Sequence, residues 1–318
     1  MIEPLVSIIT PSYNQENFLE ETIKSVLNQD YGNFEYIIID GNSDDNSVNI
    51  IKRYADKITY WVSEPDLGQS HAINKGFAIA KGEIVCWLNS DDQFFPQSIS
   101  WAVNSMQNHP DVGMVYSNCL MIDNIGEVLA VSRSKQYTLV DLLSFNIIPQ
   151  PTVFLRKDLI MKLDGLNQSL NLLFDHELWI RIASISPIYY ENQLWAISRI
   201  HTQSKNSREW SGFGREANSI ITNMFDDPKL SKTINSHSSQ IQAGIACFSG
   251  NYALVNGDFF LALREFMKAI LLQPRLIRRI WTQIIILPLL MTGIIHTGNQ
   301  FYNIRRKFRF FTSSKKIR

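Results

Sequence analysis

Asp91 and Asp92 stand side by side after an apolar run, Ile84 to Leu88, and the polar step Asn89-Ser90. Two carboxylates so placed repel one another and lose solvation, and a bound cation offsets both costs. A divalent metal, Mg²⁺ or Mn²⁺, is the expected occupant; it would neutralise phosphate oxygens and stabilise the charge of a departing diphosphate. Taken alone, the pair is more simply a turn or a helix cap, and its setting decides. The other chemically capable residues form no such group. His71, His109, His176, His237 and His296 fit no ligand spacing, and Cys86, Cys119 and Cys247 are widely spaced, mostly in apolar runs. The cysteines read as reduced core thiols rather than a disulfide framework or a zinc site.

The elements that must position the pair follow from periodicity. Val6 to Thr10 is an apolar strand pattern ending in Pro11-Ser12-Tyr13-Asn14, and Phe18, Leu19, Ile23, Val26 and Leu27 then recur at helical spacing. Tyr36 to Ile39 is a second strand ending on Asp40, followed by a turn and a helix carrying Val48, Ile51 and Tyr54. Ile58 to Val62, a helix over Ser70 to Ala80, and the strand Ile84 to Leu88 complete the series. This alternation predicts an α/β fold, a mostly parallel sheet with helices on both faces. In such sheets ligands gather beyond the carboxyl ends of the strands, where Pro11 to Asn14, Asp40, Glu64 to Asp66 and Asp91-Asp92 fall. No GxGxxG or GxxxxGK[ST] follows any strand, so a carboxylate-held metal is the substitute for a phosphate-cradling loop.

Farther on, Val112 to Tyr116 is strand-like, Asn124-Ile125-Gly126 is a turn, and Asp175 to Ala183 is helix-like. From about residue 215 to 273 the pattern is helical. Gly257-Asp258, Ala262, Phe266, Ala269, Ile270 and Pro274 outline one helical hairpin, similar to a tetratricopeptide unit but in a single copy.

Four stretches in order, Val6 to Asn14, Ile38 to Asp45, Glu64-Pro65-Asp66-Leu67-Gly68 through Asn74-Lys75-Gly76, and Leu88 to Asp92, resemble the nucleotide-sugar domain of the family 2 glycosyltransferases. A fifth, Phe174-Asp175-His176-Glu177-Leu178-Trp179-Ile180-Arg181, resembles that family's catalytic-base segment, and Arg199-Ile200-His201 resembles a later loop that closes on the donor. The resemblance covers roughly residues 4–210. It implies the GT-A fold, a Rossmann-like sheet with flanking helices, and inverting, metal-dependent transfer from a nucleotide-sugar, with a UDP-sugar favoured. It places Thr10, Pro11 and Tyr13 along the nucleoside, Asp40 at the base, Asp66, Asn74 and Asp91 in the donor pocket, and Asp91, Asp92 and His201 at a DXD-like Mn²⁺ or Mg²⁺ site. Asp40 and Asp66 would equally suit turns. Ile73 stands where many relatives carry Arg. Asp175 is the expected general base, taking the proton of an acceptor hydroxyl as that oxygen attacks the anomeric carbon. Phe174 replaces the family's usual acidic residue before it, so Glu177 competes, and on a helix the two point about 160° apart. Asp175 as an N-cap is the structural alternative. Trp87 and Trp179 read as core residues.

Of 318 residues, 45% are apolar and 19% charged, which excludes a disordered chain. The zero net charge hides an asymmetry. Residues 1–240 carry 18 Lys+Arg against 28 Asp+Glu, and residues 241–318 carry 12 against 2. We read 1–212 as the transferase domain, 213–274 as a helical extension and 275–318 as a basic, apolar tail. Ile280 to Gly298 is uncharged between basic clusters, but Pro288 and Gly293 weaken a spanning helix. A segment lying in the membrane surface is expected, with a packed C-terminal helix as the alternative. Met1-Ile2-Glu3-Pro4 has no signal-like pattern, which suggests a cytoplasmic protein peripheral to the inner face of the membrane. The expected acceptor is a lipid-linked or polysaccharide sugar. Nucleic-acid binding fits poorly, because the only basic concentration is this tail. The alternatives are a sugar-phosphate nucleotidyltransferase and a non-catalytic sugar-nucleotide-binding module.

Overall fold

The computed structural model describes residues 3–201 and 212–291. The chain divides into two compact units, Met1–Leu139 with Ile147–Ile200, and Val140–Asn146 with His201–Arg318.

In the first unit β1 (Val6–Ser12), α1 (Leu19–Leu27), β2 (Phe34–Asp40), α2 (Ser47–Arg53), β3 (Tyr60–Ser63), α3 (Gln69–Ile79) and β4 (Ile84–Trp87) alternate. The strands pair in parallel in the order β3-β2-β1-β4. Every residue of β1 and β4 is buried, because helices cover both faces, and this is why those strands read as unbroken apolar runs. α1 turns Leu19, Thr22, Ile23 and Val26 inward, one face of a 3.6-residue repeat.

α3 lies so close to β1 that a Cβ on Gly76 would sit 2.5 Å from Cγ2 of Ile9. Gly76→Ala should therefore destabilise the protein by roughly 1–3 kcal/mol through overpacking, despite alanine's better helix propensity. Urea denaturation measures this, and an unchanged midpoint would show that Ile9 moves aside at no cost.

Beyond β4 the sheet becomes mixed, where a mostly parallel one was expected. β5 (Gln93–Phe94), α4 (Ser98–Asn108), β6 (Met114–Ile122), β7 (Val128–Ser132), α5 (Leu139–Leu143), β8 (Phe154–Arg156), α6 (Lys157–Lys162), α7 (Phe174–Ile185) and β9 (Ile188–Arg199) follow in the chain. β8 inserts antiparallel between β4 and β6, and β9 runs parallel to β6 and antiparallel to β5. The strand expected over Val112 to Tyr116 begins at Met114 and continues to Ile122, and the turn through Gly126, at φ 88°, joins it to β7. Trp87 and Trp179 are core residues as expected, stacked with ring centroids 5.2 Å apart. This contact ties α7 to β4.

The second unit is helical: α8 (Phe213–Asn223), α9 (Pro228–Ser236), α10 (Ser238–Val255), α11 (Phe259–Leu272) and α12 (Ile277–Met291). Asp227 caps α9 through the N–H groups of Lys229 and Leu230, with Pro228 at the first helical position. Asp258 caps α11 through Leu261, just after Gly257 in the left-handed region. The expected hairpin is thus α10 and α11. Ala246, Leu254, Ala262, Phe266, Ala269, Ile280 and Leu287 form its core, so α12 packs one face there. Among the described residues no helix is long and apolar enough to cross a membrane. The end of the 280–298 segment and the basic residues after it lie outside the described residues.

Candidate active site

The carboxyl ends of β1 and β2 carry two loops that are bonded to each other. The Asn14 and Gln15 N–H groups donate to Oγ of Ser43 and Ser47, both at 2.9 Å, and the Asp44 N–H donates to Oδ1 of Asn14 at 3.0 Å. Glu16 N–H reaches Asp45 at 2.9 Å, and Asn46 N–H returns to Glu16 at 3.0 Å. Asn14 and Asn42 hold positive φ, 52° and 65°, a conformation that asparagine tolerates better than most residues. Tyr13 projects from this seam, 60% exposed, whereas Pro11 and Thr10 are buried. The Thr10 hydroxyl pairs with the Tyr36 hydroxyl at 3.0 Å, inside the sheet.

Asp40 has no exposed surface. Its carboxylate accepts from the Ser43 N–H at 2.9 Å, the Ser43 hydroxyl at 2.6 Å and the Ser63 hydroxyl at 2.7 Å, which is the turn-forming role considered for it. Asp66 also begins a turn, accepting from the Gly68 N–H at 2.8 Å. Asp66 and Tyr13 nonetheless meet over Gly41, where a Cβ would stand 2.7 Å from Asp66 Oδ2 and 3.4 Å from Tyr13 Cδ2. The strand ends thus bring Tyr13, Asp40 and Asp66 together. Asn74 pairs with the loop that follows α6: its amide donates to Leu166 O and accepts from Leu166 N–H, both at 2.9 Å. Ile73 is fully buried in α3.

The acidic pair divides. Asp92 is 4% exposed, and its carboxylate accepts from the Arg199 N–H at 3.0 Å and from the Asn89 amide at 3.3 Å, while its own carbonyl accepts from Thr22 at 2.7 Å. Burial, and then the neighbouring Asp91 charge, push its carboxyl well above the usual range. Asp91 is partly exposed. Asp92 thus bonds to β9 and to the Asn89 side chain through its carboxylate, and to α1 through its carbonyl.

His201 is buried at the start of the second unit, and among the described residues no group of three or more His, Cys, Asp or Glu could hold a metal ion. One partly exposed carboxylate nonetheless fits a Mg²⁺- or Mn²⁺-type ion, which takes one or two protein carboxylates and completes its shell with substrate phosphates and water.

Gln150, Gln69 and Arg199 position this loop, and of the three only Arg199 stands out in the sequence, within the Arg199-Ile200-His201 segment. Gln150, in the 3₁₀ turn Gln150–Thr152, donates to Trp87 O at 2.8 Å and accepts from the Asn89 amide at 3.1 Å, while Gln69 donates to Asn89 at 2.8 Å. The Arg199 side chain reaches Glu21 at 2.5 Å, Asp123 O at 3.3 Å and Asp91 O at 3.4 Å, and lies over the Phe18 ring. No local pattern announces these contacts, since Gln150 and Arg199 act on residues more than 60 positions away.

The candidates on α7 separate as sharply. Glu177 is buried and forms a two-pronged pair with Arg181, both bonds at 2.8 Å, and Arg181 also donates to Leu163 O and Gly165 O at 2.6 and 2.7 Å. Asp175 lies in the first turn, partly exposed, with Oδ1 accepting the His176 N–H at 2.7 Å. The helix N-cap is Leu173, so Asp175 is not the cap. Cys86, Cys119 and Cys247 are free and buried, and burial raises the thiols of Cys86 and Cys119 far from reactivity.

The model of the family described as Glycosyl transferase family 2 matches residues 7–162. An uncharacterized glycosyltransferase of Rickettsia typhi is 31% identical over 229 residues, spanning 66% of this chain and 71% of that one. Another from Mycobacterium tuberculosis is 31% identical over 188 residues, spanning 57% and 70%. Among solved structures, S. aureus TarS 1-349 in complex with UDP-GlcNAc superposes with a TM-score of 0.60 at 16% identity, over 83% of this chain and 88% of that one. The mannosyltransferase PcManGT from Pyrobaculum calidifontis in complex with GDP-Man and Mn²⁺ also gives 0.60, at 19% identity, over 92% and 86%. The superpositions establish the GT-A fold, and with the sequence matches they make this chain a member of glycosyltransferase family 2.

Proposed function

We propose that the chain transfers a sugar from a nucleoside-diphosphate-sugar to an acceptor hydroxyl with inversion at the anomeric carbon. The observation that carries this reading is the commitment of Glu177 to Arg181, which makes Asp175 the base candidate of α7. Asp175 accepts the acceptor's proton, the freed oxygen attacks the anomeric carbon, and the bond to the diphosphate breaks on the opposite face. Tyr13 and the Asp40–Asp66 floor receive the nucleoside, with Thr10 and Pro11 supporting from below and Asn74, anchored to Leu166, at the edge of the donor pocket.

Asp91 would hold a Mg²⁺ or Mn²⁺ ion, which when bound supplies positive charge to the leaving diphosphate. Asp92 sets the position of Asp91 through its bond to the Arg199 N–H. A UDP-sugar donor is favoured, and the nucleoside-diphosphate-sugars bound by TarS and PcManGT support a donor of this class. Family membership sets aside the nucleotidyltransferase alternative. A non-catalytic module would leave the separate placements of Asp91 and Asp175 without a use. The acceptor is placed on a lipid-linked or polysaccharide intermediate at the cytoplasmic face of the membrane, because residues 241–318 carry 12 basic and 2 acidic side chains.

Incubation with Mn²⁺ and a panel of nucleotide-sugars should release nucleoside diphosphate from one donor, and EDTA should abolish the release. Release that persists in EDTA would remove the metal from the reading, and a protein that binds donor yet never turns over with any acceptor would be the non-catalytic module.

A further inference from the structure

α11 is apolar on two sides. Ala262, Phe266 and Ala269 enter the core shared with α10 and α12. Phe260, Leu263, Met267 and Leu271 are exposed, Phe260 and Leu271 each to 78%. At about 100° per residue these four fall within an arc of about 80°, away from the buried face. A scattered surface leucine needs no explanation, but four large apolar side chains aligned along one helix mark a contact surface.

α12 repeats the arrangement. It buries Ile280 and Leu287 in the same core and exposes Ile277, Trp281 and Ile285, spaced four residues apart. Basic side chains border both stripes: Arg264 and Lys268 run along the edge of the first, and Arg275 and Arg278 stand at the start of the second.

We propose that the outer faces of α11 and α12 dock on an anionic lipid surface, with Phe260, Leu263, Met267, Leu271 and Trp281 entering the acyl boundary and the flanking Arg and Lys meeting headgroups. The sign of the charge favours lipid over a second copy of the chain. Two such faces would each bring part of a region with 12 basic and 2 acidic residues, and would repel, whereas anionic headgroups neutralise it. The proposal rests on the reading of the basic C-terminal region as membrane-facing, and moves the apolar contact upstream, onto a helix that precedes the 275–318 tail.

The test is flotation of the full-length chain with vesicles of phosphatidylcholine containing phosphatidylglycerol, against vesicles of phosphatidylcholine alone. The unaltered chain should float with the anionic vesicles. The pair Phe260→Ser and Leu271→Ser should weaken binding roughly tenfold or more, with thermal stability and donor turnover unchanged because both side chains are already solvent-exposed. Unchanged binding in this pair overturns the proposal. A second variant, with Arg305, Arg306, Lys307 and Arg309 changed to Ala, separates the tail: if it alone loses binding, the tail is the membrane contact and α11 is not. If the unaltered chain ignores both vesicles and sediments as a dimer that Phe260→Ser and Leu271→Ser dissolve, the face joins two copies instead, and the lipid proposal falls.

Discussion

Asp175→Asn should slow sugar transfer about 100- to 10,000-fold while leaving donor affinity within a few-fold of the unaltered enzyme. The amide keeps an acceptor oxygen for the His176 N–H, so the start of α7 stays in place, but it cannot take a proton at neutral pH. Glu177→Gln makes the contrast. It weakens the two-pronged pair to Arg181, and with it the hold of Arg181 on the carbonyls of Leu163 and Gly165, so stability should fall by about 1–3 kcal/mol. Transfer per folded molecule should fall much less than in Asp175→Asn. Single-turnover transfer measured beside equilibrium donor binding and chemical denaturation distinguishes the two. If Glu177→Gln stops transfer in a folded protein while Asp175→Asn does not, the base has been assigned to the wrong carboxylate.

Asp91→Asn should lower metal-dependent turnover roughly 100-fold or more with little change in stability, since its side chain is partly exposed and the metal loses its protein carboxylate. Asp92→Ala should lose both. Without that carboxylate, the buried Arg199 N–H and the Asn89 amide each lose an acceptor, at a cost of about 1–3 kcal/mol, and the loop carrying Asp91 loses its anchor to β9. Titration of Mn²⁺ against donor binding, with thermal melts of both variants, reads the difference. Equal loss of metal response without loss of stability in Asp92→Ala would put both carboxylates at the metal after all.

That division of labour was hidden in the sequence. Asp91 and Asp92 are adjacent and chemically identical, and what separates them is Arg199, 107 positions beyond Asp92 and hydrogen-bonded to it through the backbone. Glu177 was easier, since its partner Arg181 lies one helical turn away, but the spacing alone did not tell which acid would be occupied. The same distinction governs the fold. β1, β2 and β4 were legible because strands buried on both faces leave continuous apolar runs, and the helices between them keep a 3.6-residue repeat. β5 and β8 were not, being two and three residues long and defined only by pairing with distant partners, Gln93 with Ile197 and Phe154 with Val115. Thr10 shows the limit from the other side: its place at the end of β1 was legible, but not that its hydroxyl would face Tyr36 inside the sheet.

The seam between the loops that follow β1 and β2 bears on how the nucleotide is captured. Five hydrogen bonds that cross it each link a backbone N–H on one side to a side chain on the other. Loops held this way have already given up their backbone freedom, a loss of about 1–2 kcal/mol per residue that a flexible loop would suffer at the moment of association. On the donor placement proposed above, the nucleoside meets a surface whose shape is set beforehand, and its recognition should show the calorimetric signature of rigid docking rather than of coupled folding.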